Sequence, residues 1–302
     1  MDELQASATS APQFVYLCFG PSPSVKRELV YSIATSLPEI GDDASRITIF
    51  TDRPQDFALW RERIVDIGDR LMAMRWVGDR DFFFRAKPAV LAEALALHRR
   101  ACVMLDTDSF IRPGFAGAVE RALGAGAAMN SFVRTDPYPF FGPFETDLPH
   151  LGHYRFDPAA SVMLNSGLVA ARFEHLQVIE DALLLLDRLW AAKLYRHDIE
   201  QFAVAECFRI AGVKLALIER EFVHYCPHWS KRYMRRMLRR HAPSLDAAPV
   251  AAGANIAFSK TRVRLFKGRK LARLALRALR RRLRAAAAAT GKAVESPRGP
   301  GV

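Results

Sequence analysis

Five short apolar runs, alternating with stretches whose apolar residues recur every three or four positions, constrain this chain to a layered α/β fold. Phe14–Phe19, Ile47–Thr51, Ala101–Leu105, Ala127–Phe132 and Val162–Val169 are rich in aliphatic and aromatic side chains, as strands buried on both faces must be. Ser24–Leu37, Phe82–Leu97, Phe115–Leu123, Phe173–Trp190 and Ile199–Ala211 carry the helical spacing. This alternation predicts a largely parallel sheet with helices on both faces. Ligands of such sheets bind beyond the carboxyl ends of the strands, so the polar residues that follow each run are the first candidates for function.

With 302 residues, half of them apolar, the chain can bury one large domain and carry a short extension. No apolar stretch is long enough to cross a bilayer, since even Leu183–Leu186 is flanked by Asp181, Asp187 and Arg188. The opening residues, with Asp2 and Glu3, lack the basic start and apolar centre of a signal peptide. Cys18, Cys102, Cys207 and Cys226 are too scattered for a disulfide framework, and a cytoplasmic location is the expectation.

Charge is distributed unevenly. Residues 1–230 hold 24 Lys/Arg and 30 Asp/Glu, whereas residues 231–284 hold 18 Lys/Arg and a single acid, Asp246. Within the expected helix over 262–289, Arg273, Arg277, Arg280 and Arg284 fall on one stripe and Leu276, Leu279 and Leu283 on another. A basic amphipathic helix suits an anionic membrane surface, here the inner face of the membrane, to which the protein would attach peripherally. Nucleic acid is disfavoured as a partner because Phe266 is the one aromatic residue between 260 and 302 available for base stacking. The expected organisation is a disordered N-terminus over 1–12, a catalytic domain over 13–240, an Ala/Pro-rich linker over 241–259, and the basic helix and tail over 260–302. Pro137–Pro158, with Tyr138, Phe140, Phe141, Phe144, His150, His153 and Tyr154, lacks clear periodicity and is expected to form a functional loop or lid.

The sharpest motif is Val103-Met104-Leu105-Asp106-Thr107-Asp108, an apolar strand ending in two acids one residue apart. Alternation along an extended chain puts both carboxylates on one side, where they can share a hard cation. A diphosphate leaving group needs such a cation to neutralise the charge that grows on its oxygens. A turn with two capping acids is the plainer reading, but the position at the carboxyl end of a buried strand favours metal.

In this respect the sequence resembles the GT-A glycosyltransferases, whose Asp-x-Asp motif occupies this place in the chain. Phe14-Val15-Tyr16-Leu17-Cys18 is similar to their first strand, and Ile49-Phe50-Thr51-Asp52 to the second, which implies that Asp52 lies near the nucleotide. Arg85 and Lys87 resemble the basic residues ahead of the helix leading into the metal strand, and a diphosphate role is implied for both. Leu164-Asn165-Ser166-Gly167-Leu168 is similar to the Asn-Ser-Gly segment that lines the sugar pocket in glycogenin-like and related families. His197-Asp198-Ile199-Glu200-Gln201 resembles their late acidic segment, and Val223-His224-Tyr225 the histidine that completes the metal site. The resemblance spans roughly residues 14–230. It departs after His224, where Cys226-Pro227-His228-Trp229-Ser230-Lys231 stands in place of a Gly and a Lys-Pro-Trp segment.

The same residues admit plainer roles. Asp52 before Arg53-Pro54 can open a turn, Arg85 and Lys87 can be a solvated helix start, and Asn165-Ser166-Gly167 can itself be a turn. Asp198 and Gln201 have the spacing of a capping box, which leaves Glu200 unexplained; contact with the sugar or the acceptor hydroxyl falls to Asp198 or Glu200, undecided between them. His224 and His228 lack the second ligand pair of a zinc site, whereas a neutral imidazole beside two carboxylates suits Mn²⁺.

The resemblance implies a metal-dependent enzyme that uses Mn²⁺ or Mg²⁺ to move a sugar from a nucleotide-diphosphate sugar to an acceptor the sequence does not name, in envelope polysaccharide or glycolipid synthesis. A sugar nucleotidyltransferase is the nearest alternative; it would be expected to carry a Gly-rich phosphate loop where Gly20-Pro21-Ser22-Pro23 stands. A nucleic-acid-binding protein with an inactive α/β body is the alternative from another class.

Overall fold

The computed structural model describes residues 11–41, 44–57, 64–77, 80–134, 142–241 and 258–291. The expected disordered N-terminus and linker fall almost entirely outside them. In chain order the elements are β1 (Gln13–Leu17), α1 (Pro23–Ile40), β2 (Ile47–Thr51), β3 (Ile64–Asp66), α2 (Leu71–Arg75), β4 (Trp76–Val77), β5 (Arg80–Asp81), α3 (Ala86–His98) and β6 (Cys102–Leu105). There follow β7 (Ser109–Ile111), α4 (Phe115–Ala125), β8 (Ala127–Arg134), β9 (Glu145–Leu148), β10 (Gly152–Arg155), β11 (Met163–Ala171), α5 (Leu176–Ala191) and α6 (Ile199–Ile210). The chain continues through β12 (Leu215–Leu217), β13 (Phe222–His224), α7 (His228–His241) and α8 (Lys260–Gly291).

Seven strands form one sheet in the order β12-β8-β11-β6-β1-β2-β3. All neighbours run parallel except β11, which is antiparallel to both β8 and β6. This is the expected mixed, mostly parallel sheet with helices on both faces. Side-chain alternation divides the core between its faces: Phe14 and Tyr16 pack with α1 and α4 on one side, Val15 with α3, α5 and α6 on the other. Strand β6 divides likewise, Val103 and Leu105 to the first face and Cys102 and Met104 to the second. Truncating a fully buried ring such as Phe14 to alanine would cost about 3–5 kcal/mol.

A third, smaller cluster of Tyr31, Tyr225, Tyr233, Met234, Leu238 and Val263 joins α1, α7 and the start of α8. Within it Glu28, fully buried on α1, receives both arms of the Arg235 guanidinium at 2.9 and 3.0 Å, which fixes α7 against α1. Helix α8 packs on α7 only through its first turns, where the Phe266 ring lies 5.7 Å from that of Tyr233. Beyond them Leu271, Leu274, Leu276, Leu279 and Leu283 are exposed. No helix among the described residues is long and apolar enough to cross a membrane.

The expected loop or lid over Pro137–Pro158 needs correction where it is described. Residues 135–141 lie outside the described residues, but β9 and β10 form an antiparallel hairpin. Buried Asp181 accepts the His150 and Leu151 N–H groups at 3.0 and 2.8 Å, and buried Glu206 accepts Tyr154 Oη–H at 3.0 Å and Ser161 Oγ–H at 2.8 Å. Two carboxylates in the interior thus hold the hairpin on α5 and α6, and this part of the segment is fixed scaffold.

Candidate metal centre

At the carboxyl end of β6 the chain leaves the sheet, and the Asp106 N–H is held by the Gly167 carbonyl at 2.8 Å. The acids do not continue one strand, as the sequence suggests; β7 begins after Asp108 and pairs antiparallel with β13, with Ser109 opposite His224. The Tyr225 N–H closes on the Asp108 carbonyl at 3.0 Å. This short two-stranded ladder brings His224 to the acids. One ligand atom from each of Asp106, Asp108 and His224 lies within 4.8 Å of the other two. His224 Nε2 is 3.3 Å from Asp106 Oδ2 and 3.4 Å from Asp108 Oδ1.

Two lysines flank the trio. Lys87 Nζ lies 2.9 Å from Asp106 Oδ1 and 3.4 Å from Glu200 Oε1, and donates to the Ser166 carbonyl and Oγ at 3.0 Å each. Lys231 Nζ lies 2.8 Å from Asp108 Oδ2, an ion pair to a buried carboxylate. Burial disfavours the charge on Lys87, yet Asp106 and Glu200 outweigh it and hold the ammonium above its ordinary range. Burial likewise opposes charge on His224, but its bond to Asp108 pushes its pKa up to about 10. Burial pushes Asp108 upward, and His224 and Lys231 reverse this, leaving it well below the usual carboxylate range. Burial raises Glu200 against the pull of Lys87. Three carboxylates, Asp106, Asp108 and Glu200, therefore stand opposite Lys87, Lys231 and His224.

Asp106, Asp108 and His224 present two carboxylates and one imidazole, a group that could hold a metal ion.

The remaining sequence candidates take varied positions. Asp52 accepts the Gly20 N–H at 2.9 and 3.2 Å, so it braces the turn after β1, where Gly20 has a φ of 77°. Arg85 does not join the cluster: its guanidinium grips Asp187 of α5 through two bonds of 2.7 Å. Asp198 stands at the N-cap of α6, but the capping box that the spacing allows is not formed. Its Oδ1 instead accepts Arg196 Nε–H at 3.0 Å, while the Gln201 side chain turns to the Ser166 N–H at 3.4 Å. Glu200 accepts Ser166 Oγ–H on one oxygen and its neighbour's N–H, from Gln201, at 2.6 Å on the other. Asn165 Oδ1 lies 2.8 Å from His224 Nδ1, and Gly167 packs against the same ring.

Beyond the trio, a cavity of about 610 Å³ is lined by Ser24 at the start of α1, by Cys226, and by His228, Lys231, Arg232, Arg235 and Arg239 of α7. The four-residue spacing of 231, 235 and 239 is legible in the sequence as one helical stripe, a signal overshadowed there by the overall basicity of the region.

No protein-family model matches the chain, and no curated protein matches it. Among solved structures, the chain is similar to galactosyltransferase LgtC in complex with donor and acceptor sugar analogues, at 10% identity over 68% of this chain and 73% of that one, with a TM-score of 0.41. It is similar to a glycosyltransferase involved in glycosylation of the major capsid of PBCV-1, at 11% identity over 76% and 100% of the two chains, with a TM-score of 0.42. It is also similar to a protein described as a glucose-1-phosphate thymidylyltransferase from Bacillus anthracis, at 14% identity over 83% and 98%, with a TM-score of 0.40. Likenesses at this level carry no inference about activity, which has to come from the site.

Proposed function

We propose that this chain is a metal-dependent glycosyltransferase that moves a sugar from a nucleotide-diphosphate sugar to an acceptor. The observation that carries the reading is the convergence of Asp106, Asp108 and His224 at a strand tip, with a basic cavity beside them. A bound Mn²⁺ or Mg²⁺ would supply Lewis-acid neutralisation of the departing diphosphate. Lys231 and the α7 cations lining the cavity bind and orient the phosphate oxygens, and Asp52 shapes the turn on the nucleoside side through Gly20. Glu200 holds Lys87 and Ser166 in place beside Asp106, a positioning role. Asp198, at the start of the same helix, is the acid we assign to contact with the sugar or the acceptor hydroxyl. We place Asn165, Ser166 and Gly167 at the edge of the donor pocket and give Arg85 a structural role. Catalysis then rests on orientation and preorganised charge.

We further propose that α8 holds the enzyme on an anionic membrane at its cytoplasmic face, where lipid-linked or envelope acceptors are available. Twelve Lys/Arg and no acid lie along α8, beside leucines left exposed. Each cation near such a surface contributes about 1 kcal/mol. The exposed leucines favour a lipid partner over nucleic acid, which has no use for an apolar stripe.

A panel of nucleotide-sugars assayed for Mn²⁺-dependent release of nucleoside diphosphate tests the reaction class and names the donor. Release of pyrophosphate from a nucleoside triphosphate and a sugar 1-phosphate, with no nucleoside diphosphate released, would show a nucleotidyltransferase instead. Co-sedimentation of the full chain and of a chain lacking residues 260–302 with phosphatidylserine vesicles tests the membrane role, and equal binding of the two would count against it.

A further inference from the structure

We infer that Asn165, itself held by Asn130, is a positioning residue that sets the tautomer and ring orientation of His224 toward the metal. This rests on the metal reading above, and it gives Asn165 a role apart from contact with sugar. The orientation of the Asn165 amide follows from the backbone: the Gly167 N–H lies 3.0 Å from one side-chain atom of Asn165, and a backbone N–H can only donate, so that atom is the carbonyl oxygen. The same Oδ1 lies 2.8 Å from His224 Nδ1, which must therefore carry the proton it donates. Nε2 is then the nitrogen turned toward Asp106 and Asp108. Without this anchor the imidazole could present either nitrogen to the acids, and only one of the two tautomers leaves Nε2 a lone pair.

Asn130 adds the second layer. Its Nδ2–H donates to Asn165 Oδ1 at 3.1 Å from the neighbouring strand, β8, so two donors besides the imidazole agree on where the oxygen points. The β8–β11 register is irregular between Asn165 and Val169, a local break that aims Asn165 at β13 and brings the backbone at Gly167 under the ring. A Cβ on Gly167 would stand 2.2 Å from His224 Nδ1, so the ring sits in a space that only glycine leaves open. Partners of this kind tune metal affinity by about 10–100-fold.

The test is Mn²⁺ binding to the purified full-length protein, followed by the electron paramagnetic resonance of free Mn²⁺, with thermal unfolding as a check on the fold. Asn165→Leu should weaken binding about 10–100-fold. Asn165→Asp, whose carboxylate accepts all three N–H groups, should restore most of it, a rescue that mere filling of space would not produce. Asn130→Ala, which removes only the outer donor, should fall between and serves should Asn165→Leu fail to fold. Wild-type binding together with unaltered affinity in folded Asn165→Leu, or in Asn130→Ala if that is the only folded variant, would overturn this inference alone. Failure of the wild-type protein to bind Mn²⁺ would overturn the metal reading and this inference with it.

Discussion

The tip of β6 and helix α8 are both crowded with charge, and they handle it in opposite ways. At the strand tip each cation has an acid within 3.4 Å, and the groups are largely buried. Along α8 twelve cations follow one another with no acid at all, and most of those whose side chains are described are exposed. Buried, paired charges are placed by the fold and are strongly destabilising to break one at a time, because the surviving partner is left unpaired away from water. Exposed, unpaired charges do little for the fold, are screened over about 8–10 Å in ordinary salt, and remain available to something outside the molecule. The first arrangement is suited to chemistry, the second to docking.

Four variants would break or sharpen this contrast. Asp108→Ala strands Lys231 and His224 without their shared acid, and about 3–5 kcal/mol of stability should be lost together with essentially all turnover of nucleotide-sugar. Denaturant unfolding and a nucleoside-diphosphate release assay check the two parts, and wild-type values in both would refute the paired-cluster description. Replacing Arg273, Arg277 and Arg280 together by alanine should weaken binding to anionic vesicles by about 3 kcal/mol while Tm and metal affinity stay at wild-type values. A fall in Tm comparable to that of Asp108→Ala would erase the distinction between the regions. Gly167→Ala forces a methyl group onto the His224 ring, and a loss of about 1–3 kcal/mol by denaturant unfolding is expected, with weaker Mn²⁺ binding alongside. Arg85→Ala removes a half-buried, two-armed ion pair to Asp187 and a bond to the Met74 carbonyl, which should cost about 1–2 kcal/mol and leave the donor KM unchanged. A large rise in that KM would return Arg85 to the donor site.

The parts of this picture that the sequence makes legible are those with local causes. Strands β1, β2, β6, β8 and β11 announce themselves because burial on both faces leaves little room for polar residues. The edge strands β3 and β12, three residues each, carry too short a pattern to be read. Asp106 and Asp108 are visible through their spacing at a strand end, and His224 through family resemblance. What the residues could not disclose is pairing across the chain. The β7–β13 ladder that delivers His224, the turn of α7 that aims Lys231 at Asp108, and the grip of Asp187 on Arg85 all depend on tertiary contacts. Asn130, amid Ala128, Met129 and Ser131, has no local signal; it acquires a role only when β11 is laid beside it. The plainer reading of Asp198 and Gln201 as a capping box fails for the same reason, since Arg196 and Ser166 engage the two side chains instead.

The most direct measurement is a Mn²⁺ titration of the wild-type protein and of Asp106→Asn, each with and without a nucleoside diphosphate such as UDP. One Mn²⁺ per wild-type chain, bound more tightly when the nucleotide is present and lost in Asp106→Asn, is the outcome expected of acids at a strand tip built to hold a cation against a diphosphate. Equal binding by the two proteins, or none by the wild type, would contradict it.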